Sequence, residues 1–248
     1  MGSRCEVWWA QPAVETPRLL GLLDGVERDR HAAYHRAVDQ ARFLAGRVVG
    51  KALLAARLGL EPGQVVLDST CADCGRTHGK PRVVRPESFP PDRPLPEMSI
   101  SHSGDRIAVA VTDGEPVGVD VEQERDVQVE DLVRMTLSVD ELPVFAGVPS
   151  ADRDAAFFTI WSRKEAVLKA TGRGLSIAMT KVTVSPWDAP PRLLASRSSE
   201  VDVAALRMAQ LDAGSGYRAC VAVLAGPNFP ADGWVSEHDA GPLVAGLS

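Results

Sequence analysis

Gly118-Val119-Asp120-Val121-Glu122 is the stretch on which the reading of this chain turns. Its β-branched residues predict a strand, where residues two apart share a face, so Asp120 and Glu122 project together. An Asp-x-Glu pair can be a solvated edge-strand face. Residues 117–121 are otherwise apolar, however, and two adjacent carboxylates there are costly to bury without a cation.

Some forty residues on, Trp161-Ser162-Arg163-Lys164-Glu165-Ala166-Val167-Leu168-Lys169 reads as part of a helix over about 152–171, ended by Gly172 and Gly174. Glu165 and Lys169, four apart, share a helix face. Such a pair is also a common surface stabiliser, but Phe157, Phe158, Ile160, Trp161, Val167 and Leu168 place an apolar stripe beside it. The two segments supply Asp120, Glu122 and Glu165 for a hard divalent cation and Lys164 and Lys169 for phosphate. Mg²⁺ takes about six oxygen ligands, with carboxylates, substrate phosphate and water sharing the positions. This is equipment for chemistry on a pyrophosphate.

Outward toward the N-terminus, the turn Asp113-Gly114-Glu115-Pro116 separates 117–121 from an apolar run at 107–112 and predicts a hairpin. Residues 29–59 carry a helical pattern with Arg36, Arg42, Arg47 and Lys51 interspersed and Gly59 as its stop. Residues 65–67 read as a short strand, and the prolines from Pro86 to Pro96 mark a surface loop. Met98-Ser99-Ile100-Ser101 leads into a turn at His102-Ser103-Gly104-Asp105. Outward toward the C-terminus, a helix at 129–136, strands at 181–185 and 217–224, and a weakly packed or fraying tail from Ala225 complete the pattern. Helix followed by strands thus occurs twice, before and after residue 115 or so, without a residue-level repeat. That pattern predicts a two-lobed α+β fold.

With 248 residues, 45% of them hydrophobic, the chain can build one sizeable core or two small ones. A net charge of −6 argues against general nucleic-acid binding. Arg4, Glu6, Glu15 and Arg18 interrupt the N-terminus, which lacks the apolar run of a signal peptide, and no stretch is long and apolar enough to cross a bilayer. These features predict a cytoplasmic protein with no membrane partner. Four cysteines make no disulfide framework in a chain this long. Cys71-Ala72-Asp73-Cys74 with His78 begins a zinc-ligand spacing, but no second CxxC or HxxxH follows; a turn that happens to hold two thiols is the alternative. Ser101-His102-Ser103-Gly104 is a turn with donors for an anion or a structural histidine. It lacks the context of a nucleophile elbow, and Gly172-Arg173-Gly174 is no dinucleotide or P-loop fingerprint.

Taken in order, these segments resemble the motifs of the Sfp-type 4′-phosphopantetheinyl transferases. Gly118 to Glu122 and Trp161 to Lys169, with Gly172-Arg173-Gly174-Leu175, are similar to the two signature motifs. Gly79-Lys80-Pro81 and Ile100-Ser101-His102-Ser103-Gly104 resemble the two upstream ones, and Arg42-Phe43-Leu44-Ala45-Gly46-Arg47 the N-terminal basic helix. The likeness spans most of residues 30–225. The Cys-x-x-Cys…His segment is not among the motifs common to the family.

The resemblance implies an α+β fold of two similar α/β lobes related by pseudo-twofold symmetry, with the active site at the lobe interface. The N-terminal lobe would span residues 1–115, the C-terminal lobe 116–225 and a tail 226–248. It further implies a monomer that transfers the phosphopantetheine arm of coenzyme A, its co-substrate, to a serine of acyl-carrier or peptidyl-carrier domains and releases adenosine 3′,5′-bisphosphate. Asp120, Glu122 and Glu165 would hold Mg²⁺, and Lys164 and Lys169 would contact phosphate. Lys80, Ser101 and His102 would position the nucleotide and its 3′-phosphate, and Arg42 and Arg47 would reach the nucleotide end, with Arg30 and Arg36 as alternatives in that helix. Asp120, Glu165 and Lys169 are the expected catalytic set, with Glu165 as the base that activates the carrier serine. Residues 127–149, through Leu132, Met135, Leu137 or Phe145, are the expected carrier-docking surface. The rival readings are another Mg²⁺-dependent phosphoryl-transfer or hydrolytic enzyme with the same carboxylates, and a silent carrier-binding module.

Overall fold

The computed structural model describes residues 5–71, 73–125, 129–226, 229–230 and 232–247, with the side chains at 129–131 and 175 excepted. In chain order, β1 (Cys5–Ala10) precedes α1 (Pro17–Gly21), α2 (Gly25–Ala32) and the long α3 (Ala37–Leu58). β2 (Leu67–Asp68), β3 (Arg82–Val83), β4 (Glu97–Ser103), β5 (Arg106–Thr112) and β6 (Val117–Gln123) follow. Then come α4 (Val129–Thr136), α5 (Leu142–Ala146) and α6 (Arg153–Ala170), and after them β7 (Val182–Val184), β8 (Leu193–Ser196), β9 (Leu206–Leu211) and β10 (Tyr217–Leu224). β11 (Val235–Asp239) and α7 (Gly241–Leu247) are the last elements. The chain divides into two compact units, Met1–Gly114 with Pro230–Ser248, and Glu115–Phe229.

In the first unit a sheet of order β11-β1-β5-β4 carries α3. Leu44, Val48, Val49 and Leu54 of the helix and Ile107, Val109 and Val111 of β5 belong to one buried apolar cluster. Gly46 and Gly50 let α3 close on β4: a Cβ at Gly46 would sit 2.8 Å from Ile100 Cγ2, and one at Gly50 would overlap Met98. Gly59 stops α3 in a left-handed conformation (φ 70°), its N–H donating to the carbonyl of Ala55, as expected of a glycine past the last helical turn. The helical pattern over 29–59 resolves into two helices, because the backbone at Arg36 is extended before α3 begins.

In the second unit the antiparallel sheet has order β6-β10-β9 and carries α6. Phe157, Ile160, Val167 and Leu168 of α6 share a buried cluster with Cys220 and Ala222 of β10. Each unit therefore runs strand, helix, hairpin, with the second hairpin strand inserted in the middle of the sheet: β1-α3-β4-β5 gives β1-β5-β4, and β6-α6-β9-β10 gives β6-β10-β9. The repetition is one of topology, which is why no residue-level repeat is visible.

Two expectations are corrected. Residues 107–112 and 117–121 are not a hairpin: β5 pairs with β1 on one side and β4 on the other, so no edge is left for β6, which pairs with β10. The hairpin is β4–β5, and β4 runs on through His102 and Ser103, read as turn, to reverse at Gly104 (φ 56°). Within the tail, residues 235–239 are an ordered strand, because β11 pairs in parallel with β1 from Cys5↔Val235 to Trp9↔Asp239. Among the described residues no helix is long and apolar enough to cross a membrane.

Candidate functional site

β6 places Val117, Val119 and Val121 on one face and Gly118, Asp120 and Glu122 on the other. The second face meets α6. A Cβ at Gly118 would overlap the carbonyl of Ala166 and the amide of Ala170, and would lie 2.9 Å from the carbonyl carbon of Lys169. Glycine is thus the residue that admits the helix backbone onto the strand.

The closeness determines the chemistry two residues on. Asp120 is buried, and Lys169 Nζ donates to its Oδ1 at 2.6 Å and to the Val119 carbonyl at 3.2 Å. Burial works against the Lys169 ammonium, but Asp120, Glu165 and Glu122 together outweigh it and hold its pKa above the usual lysine range. Burial pushes the Glu165 carboxyl upward; Lys169 pulls it down and Asp120 adds to the rise. The expected acids and Lys169 are therefore brought together around one ammonium. Arg125 lies 3.8 Å from Glu122 at the solvent side.

Three carboxylates against the Lys169 ammonium leave the cluster net acidic, and carboxylate oxygens are the donors Mg²⁺ prefers; the residues present fit such an ion. They are less tightly gathered than another set. Among the described residues, the His, Cys, Asp and Glu atoms that close to within 4.8 Å of one another are those of Cys71, Cys74 and His78, in the first unit.

Lys164 is placed elsewhere than the motif suggests. Its Nζ is fully buried, paired with Glu141 Oε2 at 2.5 Å and donating to the carbonyls of Thr136 (2.8 Å), Val182 (2.7 Å) and Met179 (3.1 Å). An ammonium has three protons, and these acceptors use them all. Lys164 is a strut of the second unit. Its partner Glu141 also accepts from the backbone N–H of Ser138 and Val184, tying the start of α5 to β7. Arg163, also buried, donates to the carbonyls of Ser185, Pro186 and Ala189.

In the first unit, Arg42 donates from Nε to the Gly104 carbonyl at 2.7 Å and pairs with Asp39 at 2.8 Å, so it sits at the β4–β5 reversal beyond Ser101 and His102. Ser101 is buried and His102 exposed. Arg47 is buried, 3.7 Å from Glu27, and stacks over Phe43, as Arg30 does. Arg36, by contrast, has its side chain 73% exposed. Lys80 pairs with Glu97 at 2.8 Å; burial lowers its pKa and Glu97 offsets part of that.

The expected docking surface is partly corrected. Leu137 and Phe145 are core residues of the second unit, 2% and 3% exposed, and Leu132 packs against the same core. Met135 is exposed, and with it Val139, Leu142 and Val144, which no sequence signal singles out. Residues 127 and 128 of that segment lie outside the described residues.

Two further residues escape the sequence pattern. Gly118 could have been found, because a glycine inside a β-branched run signals close backbone approach; Glu141, whose partners lie far along the chain, carries no local signal.

Residues 116–222 match the family model described as the 4′-phosphopantetheinyl transferase superfamily. The chain is 30% identical over 161 residues to 4′-phosphopantetheinyl transferase psf-1 of Bacillus pumilus, covering 64% of this chain and 63% of that protein. It is 30% identical over 167 residues to HetI of a Nostoc strain, covering 67% of this chain and 66% of the relative. To Sfp of Bacillus subtilis it is 24% identical over 170 residues, covering 68% and 69%. The alignments thus span slightly under two thirds of the first two relatives. The acid cluster, Lys169 and the glycine that brings them together all lie within the residues that match the 4′-phosphopantetheinyl transferase superfamily model.

Proposed function

We propose that the chain transfers the 4′-phosphopantetheine arm of coenzyme A to a serine hydroxyl of acyl-carrier or peptidyl-carrier domains and releases adenosine 3′,5′-bisphosphate. The observation that carries this reading is the Lys169 ammonium held among Asp120, Glu122 and Glu165 on the close-packed β6–α6 pair.

Asp120, Glu122 and Glu165 would hold Mg²⁺, which supplies charge neutralisation across the two phosphates when bound. Lys169 stabilises charge that grows on the leaving phosphate as the carrier serine attacks the β-phosphate. Glu165, its carboxyl pushed upward by burial, takes the serine proton directly or through a water, since a neutral hydroxyl is a weak nucleophile. Asp120, bonded to Lys169, fixes where that ammonium points. In the first unit Lys80, Ser101 and His102 serve the nucleotide and its 3′-phosphate. Arg42 and Arg47 serve the nucleotide end, with Arg30 beside Arg47 over Phe43. The carrier docks on Met135, Val139 and Val144, whose apolar side chains are exposed; a net charge of −6 makes whole-molecule attraction to an acidic carrier a poor explanation. The active form is read as a cytoplasmic monomer.

The test is incubation with coenzyme A, Mg²⁺ and an apo-carrier, followed by intact-mass measurement of the carrier. Addition of the phosphopantetheine arm, lost in Asp120→Asn, is the expected result. Cleavage of coenzyme A with no mass gain on the carrier would favour a hydrolytic enzyme, and carrier binding without either product a silent module.

A further inference from the structure

We infer that Cys71, Cys74 and His78 form a zinc site, separate from the acid cluster and on the other unit of the chain. The Sγ atoms of both cysteines and a ring nitrogen of His78 lie within 4.8 Å of one another, with Cys74 Sγ and His78 Nε2 2.9 Å apart. Tetrahedral zinc, with Zn–S near 2.3 Å and Zn–N near 2.0 Å, needs donor atoms roughly 3.5–3.8 Å apart. Small side-chain rotations bring the three to that spacing. Two thiolates and an imidazole are the soft and borderline donors that select zinc over the oxygen-seeking cation of the acid cluster.

The backbone around them is shaped as a holder. Cys71 O accepts from the Gly75 N–H at 2.9 Å, and Cys71 N donates to the Arg76 carbonyl at 2.8 Å. Gly75 supplies the left-handed conformation (φ 71°) that this reversal requires. Apart from hydrogen bonds, the loop has little packing to hold its shape. β2 and β3, which bracket it, are two residues long each, and Cys74 and His78 are exposed rather than packed in a core. A two-strand ladder that short is marginal in water, whereas a bound zinc contributes directly to folding. Among the described residues the cluster holds three protein donors, which leaves the fourth tetrahedral position to a ligand from outside it.

The loop leads straight to Lys80. Gly79 N donates to the Ser69 carbonyl at 2.7 Å, and a Cβ at Gly79 would lie 2.8 Å from the carbonyl oxygen of Thr70, so the two sides of the loop close tightly just after His78. Arg30 donates to the Thr77 carbonyl at 2.8 Å. The zinc fixes this closure and with it the backbone that presents Lys80. The consequence for coenzyme A rests on the phosphate role proposed for Lys80; the zinc site does not.

The experiment is elemental analysis of the full chain, purified without chelator and without a histidine tag, alongside Cys71→Ser/Cys74→Ser and His78→Ala. Wild type is expected to carry stoichiometric zinc, the double variant only background, and His78→Ala to lose its zinc to a chelator that leaves wild type loaded. Cobalt added to the apo chain should give a thiolate charge-transfer band that the double variant lacks. This needs no turnover, so it stands or falls apart from the proposed transferase activity. Zinc content unchanged in the double variant, no zinc and no cobalt band in wild type, or a Cys71–Cys74 disulfide in peptide maps of protein handled anaerobically would each overturn the site. If the double variant fails to fold, wild type is stripped with chelator and cobalt is added back; return of the band supports the site, and its failure to return overturns it. Stripped wild type should show a raised KM for coenzyme A with kcat little changed.

Discussion

Lys169 Nζ sits 2.6 Å from Asp120 Oδ1, joining the last turn of α6 to the middle of β6. The pair holds the one ammonium of the cluster at a point where three carboxylates act on it. Removing the ammonium by Lys169→Ala leaves those acids uncompensated at the step where phosphate charge builds. The expected loss in kcat is about 10²–10³, the size typical of deleting one charge-stabilising donor, read from the rate of carrier loading at saturating coenzyme A.

The pair depends on Gly118. Gly118→Ala would push a methyl group into the backbone of α6 at Ala166 and Ala170, neither of which can swing aside as a side-chain end can. Denaturant unfolding should show a loss of about 3 kcal/mol, at the top of the range for overpacking, and loading activity should fall as Asp120 and Lys169 separate. Gly63→Ala is the control: its Cβ meets only Leu22 Cδ2 at 3.8 Å, and stability should change by no more than about 0.5 kcal/mol.

Lys164 should matter to stability and not to substrate affinity. Lys164→Met strands Glu141 and three carbonyls in the interior, with an expected cost of about 3–5 kcal/mol. Arg197 and Asp140, 3.6 Å apart with side chains 64% and 60% exposed, supply the comparison. Asp140→Asn should cost no more than about 1 kcal/mol. Folded Lys164→Met that keeps wild-type stability but loses affinity for coenzyme A would return Lys164 to the phosphate site.

Lys80 gives a pH signature. Burial lowers its pKa, Glu97 raises it in part and Arg82 lowers it further, so the ammonium is lost below the ordinary lysine value of about 10.4. The folded chain sheds this proton before the unfolded chain does. Stability from this group therefore rises with pH between the depressed value and about 10.4, while attraction for phosphate falls over the same window. The KM for coenzyme A should climb on the alkaline side at lower pH than an unshifted lysine would give. Lys80→Arg, which stays charged, should remove that rise.

Docking is separable from folding by exposure. Met135→Asp and Val144→Asp alter solvent-facing side chains and should raise the KM for the carrier with coenzyme A kinetics and unfolding midpoint unchanged. Leu137→Ala and Phe145→Ala remove core atoms and should instead destabilise by about 2–5 kcal/mol.

The acids, Lys169 and their helix and strand are legible in the sequence because each depends on spacing within one element: two residues on a strand, four on a helix. Lys164 misleads for a reason the same geometry supplies. It precedes Glu165 by one residue, so the two side chains leave the helix about 100° apart, and on a helix buried on most sides one of them must find an interior partner. That partner, Glu141, lies outside the motif. The break between strands at 113–116 is legible, but which strands pair across a sheet depends on edges already occupied, and β1, from far back in the chain, takes the edge of β5. Leu137 and Phe145 look like surface anchors only until the core they complete is visible.

The pairing of β11 with β1 sets an order of assembly during synthesis. Every strand of the second unit is made before residue 235, while β1, translated long before, keeps an open edge until β11 arrives. A nascent chain stalled or trimmed ahead of that residue would present β1 as a sticky template for neighbouring polypeptides, which makes the closing strand a safeguard against misassociation as much as a part of the sheet.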